Sequence, residues 1–71
     1  MKPIETGCLA IVVGARIQEN NGKVVTVGRY IGDVPGYGLQ NRWEVSEYLR
    51  TTLHGTRANH ISENMLLRID G

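Results

Sequence analysis

The sequence predicts an all-β fold, a small five-stranded barrel with a single helical turn before the last strand. Three observations carry this expectation. Two apolar runs, Leu9-Ala10-Ile11-Val12-Val13 and Lys23-Val24-Val25-Thr26-Val27, flank a loop that closes on Asn20-Asn21-Gly22. β-Branched runs on either side of a turn signal read as a strand pair. Nine glycines in 71 residues favour many turns over long helices. Arg42-Trp43-Glu44-Val45-Ser46-Glu47 alternates in polarity, as a strand with one solvated face does.

Taking the elements in order, Gly7 lets the chain turn into the first strand. In that strand Leu9, Ile11 and Val13 fall on one parity and Cys8, Ala10 and Val12 on the other, and both sets are apolar. A strand with one wet face alternates instead. Two readings compete: the strand is covered on both sides within a small barrel, or one face packs on another subunit. Gly14 ends the strand and Ala15 to Glu19 forms a polar excursion. The Asn20-Asn21-Gly22 turn rests on the tolerance of Asn and Gly for positive φ.

In the second strand Val25, Val27 and Ile31 share one parity, and Val24, Thr26 and Tyr30 share the other. Gly28 in its middle marks a bulge or bend, which would let one strand serve both halves of a barrel. Asp33 to Gly38 is a turn-rich loop whose Pro35-Gly36 pair suits a type II turn. The third strand follows, with Trp43 and Val45 inward and Glu44, Ser46 and Glu47 mostly outward. Val45, Leu49 and Leu53 also fit helical spacing closed by Gly55, but Thr51-Thr52 favours extended structure. A hairpin turning near His54-Gly55 places Arg57 to Ile61 on a fourth strand. Ser62-Glu63-Asn64 is read as one helical turn capped by Ser62. Met65 to Ile69 closes the barrel, with Leu67 and Ile69 expected inward.

Size and charge bound the function. At 71 residues the chain is read as one domain, 1-71. A domain of this size buries only about 60% of its unfolded surface, so a partner subunit would help it. One cysteine, Cys8, makes no internal disulfide and favours a reducing, cytoplasmic setting. Met1 to Glu5 lacks the apolar core of a signal peptide. Cys8 to Val13, the longest apolar run, is far short of the roughly 20 residues of a membrane helix. A soluble protein with no membrane partner is therefore expected. A net charge of +1, from 8 basic and 7 acidic residues, exerts no global pull on nucleic acid, so any electrostatic argument is local.

The layout of five short strands, a polar first loop and a one-turn helix before the last strand resembles an SH3-like small barrel. The residues that carry the resemblance are Gly7 with Ala10-Ile11-Val12, Gly22-Lys23-Val24-Val25-Thr26-Val27, Trp43-Glu44-Val45 and Leu66-Leu67-Arg68-Ile69-Asp70. The first two are similar to a KOW-type motif, a glycine-led strand followed by a G-x-V-x-x-V strand. The whole chain resembles the short SH3-like proteins carried by bacteria, phages and mobile elements, in which a W-x-V strand and a closing Leu-Arg-Pro-Ile-like strand recur. Here the Gly14–Gly22 loop is longer than a typical KOW loop and holds Arg16 as its only base, and the closing strand lacks the proline.

Two constellations are candidates for binding. Between Tyr48 and Ser62 lie Arg50, His54, Arg57 and His60 with no carboxylate. Paired as a hairpin, with Arg42 on the neighbouring strand, they would offer phosphate contacts. The bland alternative is a solvated, mildly basic hairpin. Tyr37, Tyr30 and Trp43 form the second. Tyr37 between two glycines is expected to stand exposed and, with Trp43, to line a groove that receives a peptide or stacks bases. Trp43 is expected to serve mainly as core.

Cys8, His54 and His60 make a poor metal set, because Cys8 lies in an apolar run and the histidines lack ligand spacing. No phosphate-binding glycine motif occurs, and Glu44 and Glu47 are expected to be solvated rather than an acid/base pair. No cofactor is implied.

The expected function is a non-catalytic binding module or adaptor docking on a protein partner, with nucleic-acid binding through residues 50–60 as the alternative. Homo-oligomerisation through the Leu9–Val13 strand is a further expectation. An enzyme with its site at an oligomer interface has a precedent in the plasmid-borne type of dihydrofolate reductase. That family's V-Q-I-Y strand motif is absent here, since Gln18 and Gln40 both fall in predicted loops.

Overall fold

The computed structural model describes residues 2–34, 36, 38–50 and 57–70. The strands are β1 (Leu9–Val12), β2 (Val24–Val34), β3 (Leu39–Arg50), β4 (Arg57–Ser62) and β5 (Leu66–Arg68), with 3-10 turns at Gln18–Asn20 and Glu63–Met65. All pairings are antiparallel, in one sheet of order β4-β3-β2-β1-β5. Ile61 of β4 and Leu66 of β5 lie on opposite edges of this sheet, yet both belong to one buried cluster with Val12, Val25, Val27 and Val45. A sheet whose two edge strands share a core has to curl, and the result is barrel-like.

The all-β class, the five strands and the 3-10 turn before the last strand follow expectation, and several details do not. β5 runs in the opposite phase to the one expected. Its register sets Val12 opposite Leu66, Ile11 opposite Leu67 and Ala10 opposite Arg68. Directly opposed residues share a face, so Leu66 joins Ala10 and Val12 inside, while Leu67 and Ile69 stand exposed. Both parities of this segment are apolar, and only pairing with β1 sets the phase, because a one-residue slip exchanges the faces. β1 itself is not covered on both sides: Cys8, Ala10 and Val12 are buried, whereas Leu9 and Val13 are exposed.

β2 is longer than expected and absorbs Asp33 and Val34, leaving a short connection to β3. The bend at Gly28 is present as a shift of register between Val27 and Tyr30. A Cβ at Gly28 would sit 3.3 Å from Glu44 Oε1 and 3.4 Å from the Glu44 carbonyl, so glycine there admits the β3 backbone. β3 is extended through Arg50, which removes the helical alternative for residues 45–50. Residues 51–56, including the turn expected near His54-Gly55, lie outside the described residues, as do Pro35 and Tyr37.

The loop from Gly14 to Gly22 is held differently from the expected turn. Of Asn20, Asn21 and Gly22 only Gly22 has positive φ, +87°, and Asn21 is extended, with φ −69° and ψ 138°. The asparagines act through their side chains. Asn21 Oδ1 accepts the Ala15 N–H at 2.8 Å, and its Nδ2 donates to the Ala15 carbonyl and to Gln18 Oε1. Asn20 is buried, 5% exposed. Its Nδ2 donates to the Arg50 carbonyl at 2.8 Å and its Oδ1 accepts the Arg50 N–H at 3.0 Å. The amide thus reproduces both bonds of a neighbouring strand residue and pins the end of β3 to the loop. Glu19 adds an ion pair to the Arg50 side chain at 2.9 Å.

The chain ends meet on Arg68. Its guanidinium, 12% exposed, pairs with Asp70 at 2.8 Å and Glu5 at 2.9 Å, and donates to the Pro3 carbonyl. These bonds hold the Asp70 carboxyl below the usual carboxylate range. That contribution to stability is present above the ordinary aspartate pKa and is lost as pH falls through the lowered one.

Asn20→Ala leaves the Arg50 N–H and carbonyl without these partners. The expected loss is about 2 kcal/mol, or roughly 10 °C in Tm for a domain of this size. Asn20→Asp retains an acceptor for the Arg50 N–H but offers no donor to its carbonyl. Thermal and urea unfolding of both variants check this, and an Asn20→Ala protein as stable as the native chain would remove the clamp from the account.

Candidate binding site

Beyond Gly28 the β2–β3 pair carries Tyr30 directly opposite Trp43. The two rings are 4.9 Å apart, tilted at 60°, an arrangement worth about 0.5–1.5 kcal/mol beyond area burial. Trp43 packs partly against the core, and its indole N–H donates to Glu63 Oε1 at 2.8 Å. Tyr30 remains 49% exposed, and its hydroxyl donates to Asn41 Oδ1 at 2.9 Å. Asn41 has φ +50°, a conformation that Asn tolerates better than most residues. Its N–H donates to Asp33 Oδ1 at 3.1 Å.

Next to the rings, Gly38, Leu39, Gln40, Asn41, Ser62, Glu63 and Asn64 line an open cleft of about 320 Å³. Asn41 and Glu63 belong to both features. Asp33 and Glu63 are exposed, and among the described residues neither forms an ion pair. At this end of the molecule the Asp33 and Glu63 carboxylates sit with the half-buried Arg42 guanidinium, which donates to Ser62 of the cleft lining.

The expected basic surface is divided rather than gathered. Arg50 and Arg57 are cross-strand neighbours at one end of the β3–β4 pair, with Arg50 bound to Glu19. His60 lies three residues further along β4, about 10 Å away at strand spacing, opposite Glu44. There Arg42 Nε donates to His60 Nδ1 at 3.1 Å, and its other nitrogens donate to Ser62 Oγ and the His60 carbonyl. Ser62 does not cap the 3-10 turn through its side chain. Its hydroxyl accepts from Arg42 and donates to the Gln40 carbonyl. Of the other residues singled out, Tyr37 and His54 lie outside the described residues.

Cys8 is buried in the core. Among the described residues no cluster of three or more His, Cys, Asp or Glu side chains is placed to hold a metal ion. Glu44 is half-buried and 3.6 Å from Arg29, whereas Glu47 is exposed. No helix among the described residues is long and apolar enough to cross a membrane.

Trp43 and Tyr30 were visible in the sequence as aromatics. Asn41 and Glu63 were not, because each reaches its partner only through strand register and the turn after β4. Asn41 alone carries a faint signal, as a residue type that accepts left-handed backbone. Comparison with protein-family models, with curated proteins and with solved structures finds no match for this chain.

Burial and the neighbouring Arg42 charge both hold the His60 pKa below the ordinary 6.5. His60 is then neutral at pH 7 and free to accept the Arg42 proton. A depressed histidine pKa means that the unfolded chain binds the proton first as pH falls. Stability from this pair is complete above pH 6.5 and declines as pH drops from there to the folded-state pKa. An NMR titration of the His60 ring should give a midpoint below 6.5, and His60→Gln should remove this part of the pH dependence. A midpoint at or above 6.5 would contradict the arrangement.

Proposed function

We propose that the chain is a non-catalytic binding module that docks on a protein partner through the Tyr30–Trp43 end. The observation that carries this reading is the exposed Tyr30 ring against half-buried Trp43 beside an open cleft, with Glu63 in the cleft lining and Asp33 bonded to Asn41, neither in an ion pair among the described residues. Rings bordered by Asp33 and Glu63 suit an extended segment bearing Lys or Arg, through stacking, cation–π contact and ion pairing, with Arg42 on the Ser62 side of the cleft left to meet the segment's carbonyls. The same carboxylates repel phosphate. Four arginines, Arg29, Arg42, Arg50 and Arg68, are already committed to carboxylates or to hydrogen bonds within the chain, which weakens the nucleic-acid alternative. The SH3-like identity and a bacterial, phage or mobile-element origin rest on the quoted residues alone. The cytoplasmic placement rests on the lone thiol of Cys8.

Trp43 is the single tryptophan, so its fluorescence reports directly on this site. Titration with Lys/Arg- and Pro-containing peptides should give a saturable change. Tyr30→Ala should weaken it at least tenfold while the domain stays folded, as circular dichroism and thermal unfolding of the variant check. Glu63→Gln keeps an acceptor for the indole N–H and removes the charge, so it should weaken cationic peptides selectively. Salt-sensitive binding of heparin or single-stranded DNA, with no response to any peptide, would overturn the reading in favour of polyanion binding.

A further inference from the structure

A chain of hydrogen bonds joins His60 to the cleft. Arg42 Nε donates to His60 Nδ1 at 3.1 Å, and Arg42 Nη1 donates to Ser62 Oγ at 3.1 Å. The same hydroxyl donates to the Gln40 carbonyl at 3.3 Å. Gln40, near the start of β3, and Ser62, at the end of β4, both line the cleft. Ser62 thus ties the β3 side of the cleft to the side formed by the turn after β4, and Arg42 holds Ser62. The bond from Arg42 Nε exists only while the ring is neutral, because an imidazolium has two donors and no acceptor. Arg42 Nη2 also donates to the His60 carbonyl, so the guanidinium cannot leave a charged ring without giving up that bond as well.

We propose that protonation of His60 is an acid switch on the cleft: it breaks the Arg42–His60 ring bond, sets two cations against each other, loosens the Ser62 tie and releases a docked segment. The proposal rests on the docking role of the cleft given above. The charges around His60 do not compensate an imidazolium. From β3, Arg42 faces it, and Glu44 lies opposite it. The Glu44 carboxylate reaches instead to β2, with Oε2 3.6 Å from Arg29 Nη2 and Oε1 beside Gly28. On β4 itself Arg57 is three residues away, opposite Arg50, and in the following turn Glu63 receives the Trp43 indole N–H. Among the described residues no carboxylate forms an ion pair with His60. The ring is therefore neutral and the tie is made at pH 7, as burial and the Arg42 charge both require. Docking and proton uptake are then reciprocal. A segment that prefers the joined cleft lowers the His60 midpoint by about one pH unit for each tenfold of preference.

An NMR titration of the free chain from about pH 8 to about pH 5, where histidine is the side chain that ordinarily titrates, tests the switch without a ligand. The Arg42 Nε–H resonance and the amides of Gln40 and Asn41 should change with the midpoint of the His60 ring. In Ser62→Ala the ring should still titrate, but the Gln40 and Asn41 amides should no longer follow it. Cleft amides that ignore the His60 midpoint in the native chain, or follow it equally in Ser62→Ala, would overturn the proposal. With a Lys/Arg-containing peptide read by Trp43 fluorescence, affinity should fall about threefold or more between those limits, and the His60 midpoint should be lower in the complex. His60→Gln keeps an acceptor and does not titrate, so its affinity should not change with pH over that range. His54→Gln should remain acid-sensitive. An acid loss undiminished in His60→Gln would also overturn the proposal. Should no peptide bind at about pH 8, the docking reading falls and the amide titration alone decides whether His60 controls the cleft.

Discussion

One side-chain amide closes this fold. β3 leaves β2 after Val45, the last regularly paired position toward its C-terminal end, and its final residues need hydrogen-bond partners from elsewhere. Thr26 marks the divergence, since its N–H is taken by the Ser46 hydroxyl rather than by a strand carbonyl. Asn20 then meets both main-chain groups of Arg50. Buried polar backbone without a partner is costly, so Leu49 could not be held inside while its neighbour's N–H and carbonyl were stranded. The loop that carries Asn20 is in turn fixed by Asn21 to Ala15. Two adjacent asparagines therefore do the work of a neighbouring strand at the end of β3.

The remaining economy follows from size. Core side chains are valines, leucines, an isoleucine, an alanine and a cysteine, with Trp43 only partly enclosed. Such a core leaves apolar surface over. It remains in two places with different character: an aliphatic face on β1, β2 and β5, and the aromatic pair on the outer half of the β2–β3 hairpin. The aliphatic face has no charged residue on β1 or on the Val24–Val27 part of β2. The aromatic end is bordered by the polar and charged side chains of Asp33, Asn41, Arg42 and Glu63. The bend at Gly28 separates them, because it turns β2 away from β1 and carries Tyr30 beyond the barrel.

Much of the architecture was legible in the residues. Strand number, the turn glycines at 7, 14 and 22, the bend at Gly28, the inward Trp43–Val45 pattern and the 3-10 turn before the last strand all follow from local rules that need no knowledge of neighbours. Phase was not legible where both parities are apolar. In β1 and β5 the inner and outer residues are chemically alike, so hydropathy contains no information about which face is in. The basic cluster failed for a different reason: three residues of extended chain along β4 separate Arg57 from His60, and Arg50 lies opposite Arg57 while Glu44 lies opposite His60.

By itself, then, the sequence determined the all-β class, the places where the chain turns, and the excess of apolar residues over what one small barrel encloses. Those properties reside in single residues and short periods: φ tolerance, β-branching, alternation. Tertiary structure decided the rest. It set the register that exposes Leu67 and buries Leu66, the conversion of Asn20 from a turn former into a strand substitute, and the meeting of Tyr30, Asn41, Trp43 and Glu63. Each depends on a partner many residues away, and only the closed sheet determines which partner that is.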